Sequence, residues 1–547
     1  MRWNVALLVA MAGLLVVAPG ASARNAYVAN SGDGTVTVID AATNAPVATV
    51  LVGGEPVDLA VTPDGKRVYV VDSVGESVTV LDTATNAQIG PPIPMGAKPR
   101  GIAITPDGLT AVISNSGDDT VTFLSTPANG QLGPPVAVGE EPEGIGITPD
   151  GRLAFVAQKG GGLSAIDIAT RTVVGTVPDA LGPSRIAIGP RGGRGFVTNS
   201  ASNSVTAFNP AALTVVGAPI TVGEQPAGIG IESSGTLAYA ASPTDGTVTP
   251  FNTSLNVPIG GPLAFPGATG VALRPDGLAG YVTNAAGAVV SILDTTRNAA
   301  AGAIGVGASP VAVAFAPNQG PVASFWVSPS RRRAKRALTF HGGGSQDPDG
   351  GIVSYAWDFG DGRRVVGTTA MRSHRYRRPG TYLASLVVRD NEGCSTEVIF
   401  SGQTVSCNGS PAAGIVIPIT VFPTQGPALR LAGPKRQRLK RVVVIRARCL
   451  RVACSLRARG FALSIRERRS GKVRRKLRLR PTRAPALSRG WRKLRLRVPG
   501  RTRRVLARTI RRGGKARARV TVVGRSELGD FSARTRKIKL ALPRGRR

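Results

Sequence analysis

Between Tyr27 and Pro317 the apolar positions fall in short β-branched and alanine-rich runs, broken regularly by Gly, Asp, Asn and Pro. Such runs predict strands rather than helices. One run recurs seven times, at 56–61, 99–104, 142–147, 183–188, 226–231, 268–273 and 310–315. A second is centred on Tyr27, Tyr69, Val112, Phe155, Phe196, Tyr239 and Tyr281, at spacings of 41 to 43 residues. A third reads Val36-Thr37-Val38-Ile39-Asp40 and ends as Val290-Ser291-Ile292-Leu293-Asp294, and a weaker fourth follows, as at Val47-Ala48-Thr49-Val50. Pro63-Asp64-Gly65, Pro106-Asp107-Gly108, Pro149-Asp150-Gly151 and Pro275-Asp276-Gly277 supply tight turns between first and second strands, with Gly free to take positive φ.

Four strands in about 40–45 residues, repeated, predict the blades of a β-propeller. The phase predicts how it closes. The chain enters the pattern at a second strand and leaves it at a first strand, so one blade combines both ends and the ring of seven has no free edge. Phe196-Val197-Thr198-Asn199 and Tyr281-Val282-Thr283-Asn284 carry a family likeness. The stretch resembles the YVTN-type propeller repeat of exported and surface-layer proteins. That resemblance implies a seven-bladed propeller over 24–318, outside the cell. Related propellers include lactonase-like enzymes, so the likeness leaves activity open.

From Pro321 the period stops. Tyr355-Ala356-Trp357-Asp358-Phe359-Gly360-Asp361-Gly362, with Pro379-Gly380-Thr381-Tyr382 and Leu386-Val387-Val388-Arg389-Asp390 after it, resembles the PKD domain over 321–405. The resemblance implies an Ig-like β-sandwich serving as a spacer or as a protein- or carbohydrate-binding unit. Trp357 and Phe359 alternate with Asp358, which puts both aromatics on the core face. Asp347 and Asp349 form an acidic loop. They are candidate calcium ligands if backbone oxygens join them, and turn formers otherwise. No other cofactor is expected. His374 reads as a packing and hydrogen-bonding residue beside Tyr376.

Residues 406–429 are rich in Gly, Pro, Ala and Ile and read as a semi-extended linker. The last stretch, 430–547, alternates strictly in Lys476-Leu477-Arg478-Leu479-Arg480 and Leu494-Arg495-Leu496-Arg497-Val498. Alternation places aliphatics on one face and arginines on the other, so a small basic β-rich domain is expected. Val505, Leu506 and Ile510 before Gly513-Gly514 predict one short helix. The fold class expected for the whole chain is all-β.

Charge sharpens this division. The 547-residue chain has a formal net charge of +37. Of its Lys and Arg residues, 43 lie in 430–547, against three acids there, Glu467, Glu527 and Asp530. One end therefore carries the whole excess, which points to anionic partners. The start of the chain has the form of a secretory signal over 1–23: Arg2, an apolar run from Val5 to Val17, and Ala21-Ser22-Ala23. Its apolar run is shorter than the ~20 residues a membrane span needs, so the mature chain is expected to be secreted or held at the cell envelope without a transmembrane span. Export favours disulfides among Cys394, Cys407, Cys449 and Cys454. Proximity suggests Cys394–Cys407 and Cys449–Cys454, with three connectivities open.

The repeat region holds no His, Cys or Trp, which removes His-based acid/base chemistry and Ser-His triads from it. The loops entering the first strands remain. Asp58, Arg100, Glu143 and Arg185 occupy neighbouring phases there, with Glu55, Glu141 and Glu224 just before, and one mouth of a propeller channel is the default place for a ligand. The expected function is an exported binding or adhesion-type protein: a propeller platform for an extracellular protein or carbohydrate ligand, a PKD spacer, and a basic end on anionic envelope polymers. Two alternatives are a lactonase-like hydrolase and an extracellular polyanion or nucleic-acid binder acting through 430–547.

Overall fold

In the computed structural model, residues 25–542 are described, apart from 179–180, 331, 404, 423–427, 451–453, 469–470, 485–490 and 526–530. The expected signal segment lies outside the described residues. The described chain is almost wholly β, with one α-helix, Gly500–Arg511.

Residues 25–315 form seven antiparallel sheets, each with four strands in succession from an inner to an outer edge. In four of them the outer strand is split in two. Those four carry a proline just inside the gap, as at Gly133-Pro134-Pro135, where the missing N–H interrupts the ladder. One sheet joins both ends of the region: Asn25–Asn30 pairs with Thr35–Asp40 on one side and Pro310–Phe315 on the other, with Tyr27 opposite Ala314. Pro310–Phe315 packs against Ala268–Leu273 and also against Pro56–Val61. Apolar clusters fill the gaps between neighbouring sheets, such as Tyr281, Val290, Ile304 and Phe315 with Ala26 and Val28.

Tyrosines on the second strands lock neighbouring sheets. The Tyr69 hydroxyl donates to Asn129 Oδ1 at 2.6 Å, Tyr239 to Asn298 at 2.7 Å and Tyr281 to Asn44 at 2.6 Å. The three asparagines sit in turns at φ of 49°, 50° and 55°, which Asn tolerates. Tyr281 and Asn44 belong to the last and first sheets.

Residues 318–421 form a two-layer sandwich. One sheet runs Arg364–Gly367, Ile352–Asp358, Gly380–Asp390, Gly414–Val421; the other contains Trp326–Ser328, Leu338–His341 and Met371–His374. Trp357 and Phe359 are buried between them, with Phe325 edge-on to Trp357 at 5.2 Å. The His374 ring stacks on Phe359 at 4.1 Å, and its Nε2 lies 2.9 Å from Asp361.

One expectation needs correcting here. The stretch 406–429 is not simply a linker, because Gly414–Val421 is an edge strand along Gly380–Asp390, with Ile419 and Val421 buried. Its Ile415, Ile417, Ile419 and Val421 alternate at the strand period, and Pro418 is tolerated at an edge. The sandwich also packs against the repeat region. Its residues 400–403 and 405 reach the repeat region, where Phe400 and Val405 are fully buried beside Ala103, Ile145 and Ile147. The Cys394–Cys407 disulfide closes the base of this tongue.

The C-terminal unit packs a three-stranded sheet (Leu429–Ala432, Val442–Cys449, Arg492–Arg497) with a larger six-stranded one. Between them lie Ile445, Leu494, Leu496, Val520 and Ile538, together with Leu506 of the helix. A second disulfide, Cys449–Cys454, lies in this unit. Among the described residues no helix is long and apolar enough to cross a membrane.

Candidate functional site

The first strand of each repeat opens Pro-x-Gly or a variant of it, and this opening builds the site. The pairing with the second strand slips at this point, for example between Pro142 and Ile145 and between Pro183 and Ile186. Such bulges re-aim side chains away from the ladder. At the third position stand, in order, Asp58, Gly101, Gly144, Arg185, Gly228, Gly270 and Ala312. A Cβ at Gly101 would come within 2.4 Å of the Glu143 carbonyl, and one at Gly228 within 2.4 Å of the Thr269 carbonyl. Glycine is therefore what close approach of neighbouring inner strands requires.

Asp58 and Arg185 are the two charged departures from that small-residue pattern, and they bind each other. The Arg185 guanidinium donates to Asp58 Oδ2 and, at 3.3 Å, to the Val57 carbonyl. Their sheets are separated by two others. Asp58 is 3% exposed. It also accepts from the Ile102 N–H at 3.2 Å and from its neighbour Leu59 at 3.0 Å. Burial pushes its carboxyl above the usual range, against the opposing pull of Arg185. Asp58 thus differs from the expected rim charge, since it is a buried group.

The second position holds Val57, Arg100, Glu143, Ser184, Ala227, Thr269 and Val311. All seven line one cavity of about 250 Å³, together with Asp58 and Arg185. All four sequence candidates, Asp58, Arg100, Glu143 and Arg185, therefore border the same space. Glu143 is paired with Lys159 Nζ at 2.9 Å. The Arg100 Nε is buried without a hydrogen-bond partner among the described residues. Glu55 also reaches the cavity, whereas Glu141 and Glu224 are not among its lining residues.

Gln403 of the tongue lines the cavity too, although it lies far along the chain from the other lining residues. The backbone explains its position. Ile104, Ile147 and Ile188 donate their N–H groups to the carbonyls of Gln403, Gly402 and Ser401, at 3.0, 2.7 and 3.0 Å. Three inner strands thereby satisfy donors on edges that have no further strand. Gly402 takes φ +109°, and a Cβ there would stand 2.8 Å from the Ile188 nitrogen. A smaller cavity of about 60 Å³ lies beside the tongue, lined by Ser401, Gln403 and Val405. No sequence signal marked Gln403 or Lys159.

The acidic loop is a separate place. Asp349 accepts from the Gln319 N–H at 2.7 Å. Burial, with Asp347 and Glu392 nearby, pushes its carboxyl up to about 7. Among the described residues no group of three or more His, Cys, Asp or Glu side chains could hold a metal. Asp347 and Asp349 would thus supply only part of the six to eight oxygens that calcium takes.

Residues 318–405 match the PKD domain family, three residues further upstream than the sequence reading placed its start. The chain is 48% identical over 59 residues to "Collagenase ColQ1" of Bacillus cereus (strain Q1), covering 11% of this chain and 6% of that protein. It is 42% identical over 64 residues to "Microbial collagenase" of Vibrio alginolyticus, covering 12% and 8%. The chain thus spans less than a tenth of the collagenases it matches. Among solved structures, a functionally unknown protein from Desulfotomaculum acetoxidans DSM 771 aligns at TM-score 0.48 and 17% identity, over 53% of this chain and 98% of that one. Kuenenia stuttgartiensis hydrazine synthase aligns at 0.44 and 21%, over 47% and 88%. Likenesses of this size carry nothing about activity.

Proposed function

We propose that the protein is an exported, cell-envelope-associated binding protein. In this reading residues 25–315 are a seven-bladed propeller of the YVTN type, and its central cavity takes a small acidic solute such as a sugar acid. The observation that carries the reading is the single cavity bordered by all seven second-position residues, in which Arg100 keeps a buried, unpartnered Nε. Arg185 is engaged by Asp58, and Lys159 engages Glu143, so among the described residues Arg100 is the cation left for an anionic group. Its planar fork suits a carboxylate. The volume holds about eight waters at ~30 Å³ each, which fits a ligand of monosaccharide size. The tongue closes the cavity from the PKD side and makes Gln403 a specificity contact. The basic C-terminal unit attaches the protein to anionic envelope polymers.

Calorimetric titration of the full chain with a panel of sugar acids and their neutral parent sugars tests this. The account expects binding of at least one acid, no binding of its neutral parent, and loss of binding in Arg100→Ala. Equal binding of acid and neutral sugar, or binding unchanged in Arg100→Ala, contradicts it.

A further inference from the structure

The outer face of the C-terminal six-stranded sheet carries a grid of cations. Cross-strand partners share a face, so the register assigns the rows. One row runs Arg436, Lys539, Arg517, Leu463, Lys476 across five strands. The next runs Lys537, Arg519, Phe461, Arg478. The intervening residues, Ala516, Ala518, Ile538 and Leu540, are buried on the other side. Every Lys and Arg of both rows is exposed. No described carboxylate forms an ion pair with any of them.

Fold stability does not explain this pattern. Like charges directly opposite each other on a sheet are destabilising. The face nevertheless places Lys539 between Arg436 and Arg517, and Lys537 beside Arg519. Neighbouring strands lie about 4.8 Å apart and successive rows about 7 Å apart, so the longer row spans ~19 Å. The surface is therefore an extended plane of regularly spaced cations.

We infer that this face binds a linear, phosphate-linked polymer without nucleobases, lying across the strands; the inference rests on the proposed attachment to anionic polymers and names its surface and chemistry. Arginine forks match phosphate oxygens bidentately. Single-stranded nucleic acid fits less well, because it also needs aromatic platforms for its bases. The one aromatic in the two rows, Phe461, is covered by Lys476, with Nζ 4.4 Å from the ring centre. A bilayer fits less well too, since the rows present no exposed apolar side chain to insert.

The test uses the full chain and long-chain inorganic polyphosphate, with single-stranded DNA and a sulfated polysaccharide as competitors. Arg517→Ala/Arg519→Ala is compared with Arg504→Ala/Arg508→Ala, which removes the same charge from the exposed side of the helix. Polyphosphate binding should fall steeply with salt. The loss of two contacts at a slope of roughly 0.7 each should weaken it about tenfold at ~0.15 M salt, with the helix variant close to wild type. Equal loss in both variants overturns the face while leaving general polyanion attachment standing. Tighter binding of DNA or of the sulfated polysaccharide overturns the assigned chemistry. Absence of binding to all three polymers overturns both readings.

Discussion

Removing Asp58 and Arg185 together is predicted to be far less harmful than removing Asp58 alone. Asp58→Gly leaves the Arg185 guanidinium over the cavity without its carboxylate, and breaking a buried pair from one side costs about 3–5 kcal/mol. The Arg185 side chain keeps 21% of its exposure, so water screens part of that loss and the lower end applies, about 3 kcal/mol. Asp58→Gly/Arg185→Gly restores the residue found at the same position in four other repeats. Neither charge is then stranded, and the double variant should lie within about 1 kcal/mol of wild type. Amide exchange at Ile102 reads this locally, because its N–H donates to Asp58. The single variant should speed exchange there by roughly a hundredfold, at 1.4 kcal/mol per factor of ten. pH gives a second reading. The folded-state pKa of Asp58 is raised, so its stabilising contribution is full below the ordinary carboxylate range and is lost as pH rises through the folded pKa. The stability of wild type relative to the double variant should therefore fall with rising pH. Additive losses in the double variant, or a difference that grows with pH, would refute the reasoning.

Tyr281→Phe removes the hydroxyl that joins the last sheet to Asn44 of the first. It should cost about 1 kcal/mol, seen as faster amide exchange in Asn25–Asn30 and Pro310–Phe315; unchanged exchange there would count against the joint. Asp349, pushed up to about 7, binds its proton more tightly folded than unfolded. Its contribution is present below about pH 4 and is lost as pH rises through 7. The melting temperature of the PKD unit should thus fall from pH 5 to pH 8, and Asp347→Asn should flatten the slope. A wild-type slope of opposite sign would show that folding does not favour the protonated form of Asp349.

Much of this was legible along the chain. The seven copies of the first strand, and the offset between entry and exit, foretold the pairing of Asn25–Asn30 with Pro310–Phe315, because strand period and turn chemistry are local properties. The four candidates were found from their phase in the repeat. The sharper signal lay one position on, where Asp58 and Arg185 interrupt a column of Gly and Ala. Two opposite charges in a column kept small by strand crowding are expected to find each other. Gln403 was not legible, since its place depends on backbone N–H groups of Ile104, Ile147 and Ile188 donating to carbonyls of a separate unit, and backbone donors leave no mark in sequence. Gly414–Val421 was misread because Gly and Pro composition outweighed an alternation that was present.

Three backbone hydrogen bonds hold the PKD tongue against the repeat region and bring Gln403 to the cavity. Amide exchange of the full chain tests this at Ile104, Ile147 and Ile188, in wild type and in Gly402→Val. A side chain at Gly402 meets the Ile188 nitrogen and should lift the tongue out. The account predicts strong protection of these three amides in wild type and its joint loss in the variant, with Tyr69 and Tyr239 still protected. Rapid exchange at all three in wild type, or protection indifferent to the variant, would contradict it.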